Sequence, residues 1–460
     1  MMKLYNTLTR EKDDLPEGGK LNLFVCGPTV YDDAHIGHAR TYIFFDFLVK
    51  YLRSQGREVF YLQNITDVDD KIIKRAAEAG VSPTELAAKF TKSYFEDMKA
   101  LGIDSISKYA PATEFIPEII AQVERLIEKG FAYQIDGDGW YFDIAKDEDY
   151  GKLSGRTVAQ AEDGVSRIDD AIGKRNKGDF CLWKFSKPGE PVWPSDSLGA
   201  GRPGWHIEDT AISEKFFGPQ YDIHGGAVDL KFPHHEAEIA QQESASGLKP
   251  FVKLWVHTGF LIVNGEKMSK SLGNFITIKD FLKKYPAEVL RWMVFSHHYR
   301  SPLDYSDQLV QDAKKQLSDF GAFIRKLEVV SGKSIPESEF QPGNPVLMSL
   351  IDALSDDFNT PQATASLFEE YINKYQKNVW HIDPEQAGLV AHWLYGFFKF
   401  IGITLPRPEI PQEIQAKVAE RELSRANKDF KQSDALRQEI DGLGYVIEDT
   451  PVGPFVWPKA

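Results

Sequence analysis

Two stretches carry residue types suited to handling a polyphosphate and a metal. In FVCGPTVYDDAHIGHAR, Phe24 to Arg40, a cysteine closes an apolar run, a Gly27-Pro28 break follows, and His35 and His38 bracket Ile-Gly. Histidines three apart share one side of a helical turn and can donate to one phosphate chain, while a helix N-terminus adds free N–H groups. Gly37 between them leaves room for a purine or ribose to approach the backbone. Far downstream, NGEKMSKSLGN, Asn264 to Asn274, combines Lys267, Lys270, two serines and flanking glycines. Such a loop can close over a triphosphate and bring mobile positive charge to a leaving pyrophosphate. A satisfied pair of turn histidines and a lysine-rich hairpin would explain each stretch taken singly; their joint presence is the specific signal.

The elements that must position these residues follow from periodicity. Leu21 to Cys26 suits a buried strand, Ala39 to Ser54 a helix, Glu58 to Leu62 a second strand, and NITDVDDKIIKRAAEAG a second helix. After a stretch from about Ser105 to Trp205 with Pro/Gly-rich and aromatic character, the rhythm resumes. A helix over Ile207 to Phe217, strand-like YDIHG, a helix from His234 to about Ser244 and a strand LWVHTGFLIV are expected. This alternation predicts an α/β fold with a parallel, Rossmann-like sheet split by an insertion. Beyond Asp280 the pattern is helical, with a Pro-rich linker LPRPEIP, two further helices and a strand-like tail ending near Trp457.

Composition bounds the function. Hydrophobic residues at 42% and charged residues at 27% are those of a globular chain with a substantial core. No apolar run approaches the roughly 18 residues of a membrane span, and MMKLYNTLTREKDDLPEGG lacks the apolar core of a signal peptide. Cys26 and Cys181 cannot form a disulfide framework, so a cytoplasmic location is expected, with Cys181 a small buried hydrophobe. The net charge of −14 argues against non-specific nucleic-acid affinity, which leaves local patches. The candidates are Lys174-Arg175-Asn176-Lys177, Lys267 with Lys270, and the series Arg421, Arg425, Lys428, Lys431. GAGRPG, Gly199 to Gly204, fits G-x-G-x-x-G but follows no strand and contains Pro203, so no dinucleotide site is expected.

With HIGH and KMSKS in one chain, the sequence resembles the class I aminoacyl-tRNA synthetases, whose signature is that pair. CGPTVYD, GRPGWHIE, FPHHEAEIAQ and EDTPVGPFVW look specifically like the cysteinyl-tRNA synthetase family, over nearly the whole chain. The resemblance implies that L-cysteine is activated by ATP, with Mg2+, to cysteinyl-adenylate. The cysteinyl group then passes to tRNA(Cys), and pyrophosphate and AMP leave. It assigns the ATP phosphates to His35, His38, Lys267 and Lys270, and the nucleotide to Gly27, His224, Gly225, Gly226 and Asp229. It assigns the amino acid to Cys26, Thr66, Trp205 and His234, and one Zn2+ per chain to Cys26, Asp209, His234 and Glu238. His234 and Glu238 at i and i+4 share a helix face. In the family the zinc binds the substrate thiolate and so rejects serine, a near-isostere that an apolar pocket excludes only ~10²-fold. Where the family usually has cysteine, this chain has Asp209, a harder ligand, and a three-ligand site with an open position is an alternative.

The expected division is a catalytic domain at 1–110 with HIGH, an insertion (connective peptide) at 111–200, and the second catalytic half at 201–255. A stem-contact region with KMSKS follows at 256–308, a helical bundle at 309–404 and a C-terminal anticodon-binding domain at 405–460. Trp457 and the Arg421 series could supply stacking and phosphate contacts to RNA, and a monomer is the family expectation. Two rivals remain at this level: a ligase joining cysteine to a sugar amine, which lacks the anticodon-reading tail, and a non-catalytic RNA-binding relative.

Overall fold

The computed structural model describes residues 2–156, 172–269, 272–335 and 348–459. Lys270, one of the expected phosphate ligands, lies outside the described residues. The chain divides into two compact units: Met1–Ala287 with His297–Tyr305 and Asp352–Thr360, and Glu288–Ser296 with Ser306–Ile351 and Pro361–Ala460.

The first unit is built on a five-stranded sheet of β1 (Lys20–Val25), β2 (Glu58–Ile65), β3 (Lys108–Pro111), β4 (Tyr221–Ala227) and β5 (Val252–Thr258). The order is β5-β4-β1-β2-β3 and every pairing is parallel. Parallel strands need crossovers, and α1 (Ile36–Ser54) runs between β1 and β2, α2 (Pro83–Ala100) between β2 and β3, α3 (Ile207–Phe217) ahead of β4, and α4 (His234–Ser246) between β4 and β5. The strand order reverses between β1 and β4, and ligands bind in such sheets outside the strand ends at that point. Cys26 continues β1 there, its amide bonded to Gly225 O at 3.1 Å. The core behind it packs Phe24, Leu62, Ile212, Ile239 and Trp255, all buried.

Between β3 and β4 the chain builds a second, antiparallel meander of Ala132–Ile135, Gly139–Phe142, Phe180–Phe185 and Gly201–Pro203. GAGRPG therefore ends in an edge strand and not in a strand-to-helix turn, in line with its rejection as a dinucleotide motif. Cys181 is only half-buried, against Tyr133, Ile135 and Tyr141. The Lys174–Lys177 run is tied into this layer: Arg175 pairs with Asp143 at 3.1 Å and lies over Tyr133, and Asn176 bonds Asp143 and Asp179.

The expected strand Leu254 to Val263 is broken. β5 ends at Thr258, and Leu261–Val263 joins a separate sheet with Glu266–Lys267 and Leu303–Tyr305. Arg40, buried on α1, sits at the break, its guanidinium donating to the carbonyls of Gly259, Phe260, Tyr299 and Ser301, while Phe260 O and Tyr299 O also accept the amides of Leu303 and Gly259. Gly259 is required, since a Cβ there would stand 2.6 Å from the Arg300 and Ser301 oxygens.

The second unit is helical, with Asp307–Ser331 and Pro384–Phe400 as its longest members, then Gln412–Ala426, Phe430–Gly442 and a hairpin Tyr445–Thr450/Gly453–Pro458. Two expectations are corrected here. Arg421 is buried, its fork donating to both Asp449 oxygens at 2.8 and 3.0 Å, so it braces the hairpin and offers no charge to RNA. Trp457 is also buried, stacked near Phe455 and donating to Ser318 Oγ at 3.1 Å. Lys428 and Lys431 are exposed. Among the described residues no helix is long and apolar enough to cross a membrane.

Candidate active site

His35 is the N-cap of α1. Its Nδ1 accepts from the amides of Gly37 and His38 at 3.1 and 3.3 Å, while His38 Nδ1 accepts from the His35 amide at 3.4 Å. The two rings stack with centroids 3.7 Å apart. This reciprocal cap fixes both tautomers: with Nδ1 accepting, Nε2 carries the hydrogen on each ring. Burial, then the neighbouring His35, holds His38 well below the usual histidine range, so it stays a neutral donor. Gly37 has a tighter reason than room for a purine, because a Cβ would meet the His35 ring at 2.9 Å.

The chain that follows KMSKS, at Ile276 to Ile278, is stitched to the same turn. Ile36 N bonds Ile276 O at 3.1 Å, Ile278 N bonds Ala34 O at 2.9 Å, and His35 bridges Thr277. Lys267 and Met268 reach the cavity that opens between these loops and the strand ends. Its volume is about 330 Å3, and Cys26, Gly27, His35, His38, Thr66, Trp205, Asp209, Asp229, His234 and Lys267 are all on its wall. His224, Gly225 and Gly226 are not. His224 is fully buried, and a Cβ would strike Phe45 from Gly225 and the His235 ring from Gly226. Those glycines are explained by packing beneath the cavity.

At the floor, one donor atom each from Cys26, Asp209, His234 and Glu238 lie within 4.8 Å of one another, and all four residues are buried. His234 Nε2 stands 3.0 Å from Asp209 Oδ2 and 3.2 Å from Glu238 Oε1, and Cys26 Sγ is 3.8 Å from the same Glu238 oxygen. Trp205 stacks on His234 at 4.4 Å between centroids, and His206 Nδ1 meets His234 Nδ1 at 2.7 Å. Burial, then the charges of Glu238 and Asp209, pushes the Cys26 thiol well up; burial, then Asp209, does the same to Glu238. A buried sulfur, imidazole and two carboxylates converge here, and Glu238 Oε2 has no hydrogen-bond partner, so the groups present fit a cation.

Sequence reasoning missed several residues here. They include Asn64, whose Nδ2 donates to Asp209, and Glu208, which accepts from the expected Thr66 through Oγ1. Arg40 holds the cavity rim as described, its ionisation lowered to about 10 by burial. The available signals were an arginine inside the apolar face of α1 and an acidic pair, Glu208-Asp209, opening α3.

Comparison with known proteins now bears on this geometry. The family described as tRNA synthetases class I (C) catalytic domain matches residues 14–315. A protein of Thermoplasma volcanium named Cysteine--tRNA ligase is 45% identical over 451 residues, 97% of this chain and 98% of its own. The chain belongs to the cysteine–tRNA ligase family. The family's relative in Thermococcus gammatolerans is 44% identical over 480 residues, covering 100% of this chain and 99% of that one. A DALR domain matches 349–405 and the cysteinyl-tRNA ligase anticodon binding domain matches 407–454. In fold, the chain is similar to Mycobacterium tuberculosis methionyl-tRNA synthetase bound by methionyl-adenylate, with TM-score 0.59 and 15% identity, covering 83% of this chain and 90% of that one. The parallel sheet with its flanking helices is thus the α/β architecture of class I synthetases.

Proposed function

We propose that this cavity is where the chain, a ligase, activates L-cysteine with ATP before joining the cysteinyl group to tRNA(Cys), with pyrophosphate and AMP released. The observation that carries the reading is one cavity whose wall holds both Cys26, Thr66, Trp205, Asp209 and His234 and the pair His35 and His38 with Lys267.

The two capped histidines present Nε2–H groups to phosphate oxygens without a proton leaving either ring. Lys267, with Lys270 from the same loop, brings positive charge to the departing pyrophosphate. Asp229 accepts from the ribose hydroxyls, while Gly27 keeps the β1 end against Asn64, whose Oδ1 accepts its amide at 2.6 Å. Thr66 and the Trp205 ring bound the amino-acid side. The earlier assignment of His224, Gly225 and Gly226 to the nucleotide is restricted to support from below.

Cys26, Asp209, His234 and Glu238 are the residues that would hold zinc; sulfur, imidazole and carboxylate are all zinc ligands. When bound, the ion supplies a soft partner for the substrate's thiolate, which a serine hydroxyl replaces poorly. With Asp209 in the set, zinc is held less tightly than by two protein thiolates. One Zn2+ per chain, Mg2+ with ATP, a monomer working in the cytoplasm, and tRNA contacts from 309–404 and 405–460 belong to the same proposal. Pyrophosphate exchange and acylation of a tRNA(Cys) transcript test it. Cysteine-dependent exchange and charging are expected, and a folded chain giving neither would refute the reading.

A further inference from the structure

The donor cluster contains a second complete ligand set. Cys26, His224, His235 and Glu238 also bring one donor atom each within 4.8 Å of one another, all buried. Cys26 Sγ stands 3.2 Å from His224 Nε2 and 3.1 Å from His235 Nε2, and His224 Nε2 is 3.5 Å from Glu238 Oε2. Ligands around a tetrahedral zinc at about 2.0–2.3 Å stand roughly 3.3–3.7 Å apart, so only small adjustments separate this set from coordination. The Glu238 oxygen aimed into it is the one without a hydrogen-bond partner.

The second nitrogens are oriented as ligating imidazoles require. His224 Nδ1 meets the Tyr221 hydroxyl at 2.6 Å, and His235 Nδ1 meets His257 Nε2 at 2.7 Å, with His257 Nδ1 in turn 2.8 Å from Thr7 Oγ1. Neither His224 nor His235 is on the cavity wall, so this set lies inward of Asp209 and His234, sharing Cys26 and Glu238 with them.

We infer that before cysteine arrives the divalent ion rests in the inner set, and that the substrate's sulfur draws it to the outer one. This rests on the reading of the outer set as the thiolate-selecting site. The reason is the residue at 209. The inner set offers one sulfur, two imidazoles and one carboxylate, whereas the outer set offers one sulfur, one imidazole and two carboxylates. Zinc favours the softer set. A substrate thiolate adds a second sulfur to the outer set alone and reverses that preference. Asp209 has other engagements meanwhile, with Asn64 and with His234.

X-ray absorption at the zinc edge, on the full zinc-loaded chain, tests this. Without cysteine the inner set gives one sulfur and two imidazoles; with cysteine, two sulfurs and one imidazole are expected. A single imidazole in the absence of cysteine overturns the inner site and leaves the proposed function standing. One sulfur in the presence of saturating cysteine overturns both. A variant provides an independent check by metal analysis. Asp209→Asn should still carry one zinc per chain, and His235→Gln should lose at least tenfold in zinc affinity while its metal-free melting temperature stays near that of the parent. Loss of zinc from folded Asp209→Asn would contradict the inference.

Discussion

His35 carries two roles that substitution can separate. It caps α1 through Nδ1 and offers Nε2–H to the cavity. Asparagine is a good cap but cannot reach as far, so His35→Asn should cut pyrophosphate exchange ~10²-fold with little change in melting temperature. His35→Ala should lose activity equally and also about 1 kcal/mol of stability. An active Asn variant would mean that the ring is only a cap. Asp209→Cys should retain zinc longer against a chelator and raise the preference for cysteine over serine, read by metal content and by exchange. If the parent, stripped of metal, discriminates as well as the variant, the thiolate account is wrong. Cys26, His234 and Glu238 were expected from the resemblance to the family's motifs, and spacing added only that His234 and Glu238 share a helix face. Asn64, Glu208 and the His235–His257 pair were not, because their partners lie far along the chain and only the fold brings them together.

At the scale of elements, α1 and α2 each bury a charge. Replacing Arg40 by methionine removes the buried guanidinium that donates to the carbonyls of Gly259, Phe260, Tyr299 and Ser301, of which Phe260 and Tyr299 keep a backbone amide, at a cost of about 3 kcal/mol. Because Gly259 and Phe260 line the cavity, the same change should raise the KM for ATP; an unchanged KM and melting temperature would contradict this. On α2, burial raises the Asp97 carboxyl from 3.8 to about 6, with Lys279 opposing. A carboxyl raised in the folded state costs stability above that value, and the cost fades as pH falls through 6 towards the unfolded value. Asp97→Asn should therefore raise the melting temperature at pH 7.5 and leave it unchanged near pH 4. A gain that is larger at pH 4 would reverse the assigned sign. Helix and strand positions with clear periodicity were readable, α3 with the same bounds as expected, whereas the break at Gly259 was not. The arginine that donates to the carbonyls there lies more than 200 residues away, and local pattern carries no trace of that contact.

For the molecule as a whole, a net charge of −14 requires that any tRNA contact be local. With Arg421 committed to Asp449, the exposed Lys428 and Lys431 are the remaining members of the basic series best placed to meet phosphate. Replacing both with glutamine should raise the KM for tRNA, flatten its salt dependence, and spare cysteine-dependent pyrophosphate exchange. Equal loss of both activities would contradict a separate tRNA-contacting role. The central claim is that side-chain sulfur held at the Cys26–Asp209–His234–Glu238 cluster selects the amino acid. Its most direct test is pyrophosphate exchange with cysteine, serine and alanine, on the zinc-loaded chain and after chelation. The account predicts exchange with cysteine alone, at least 10³-fold above serine and abolished when the metal is removed. Full-rate exchange with cysteine in metal-free protein, or alanine performing as well as cysteine, would contradict it.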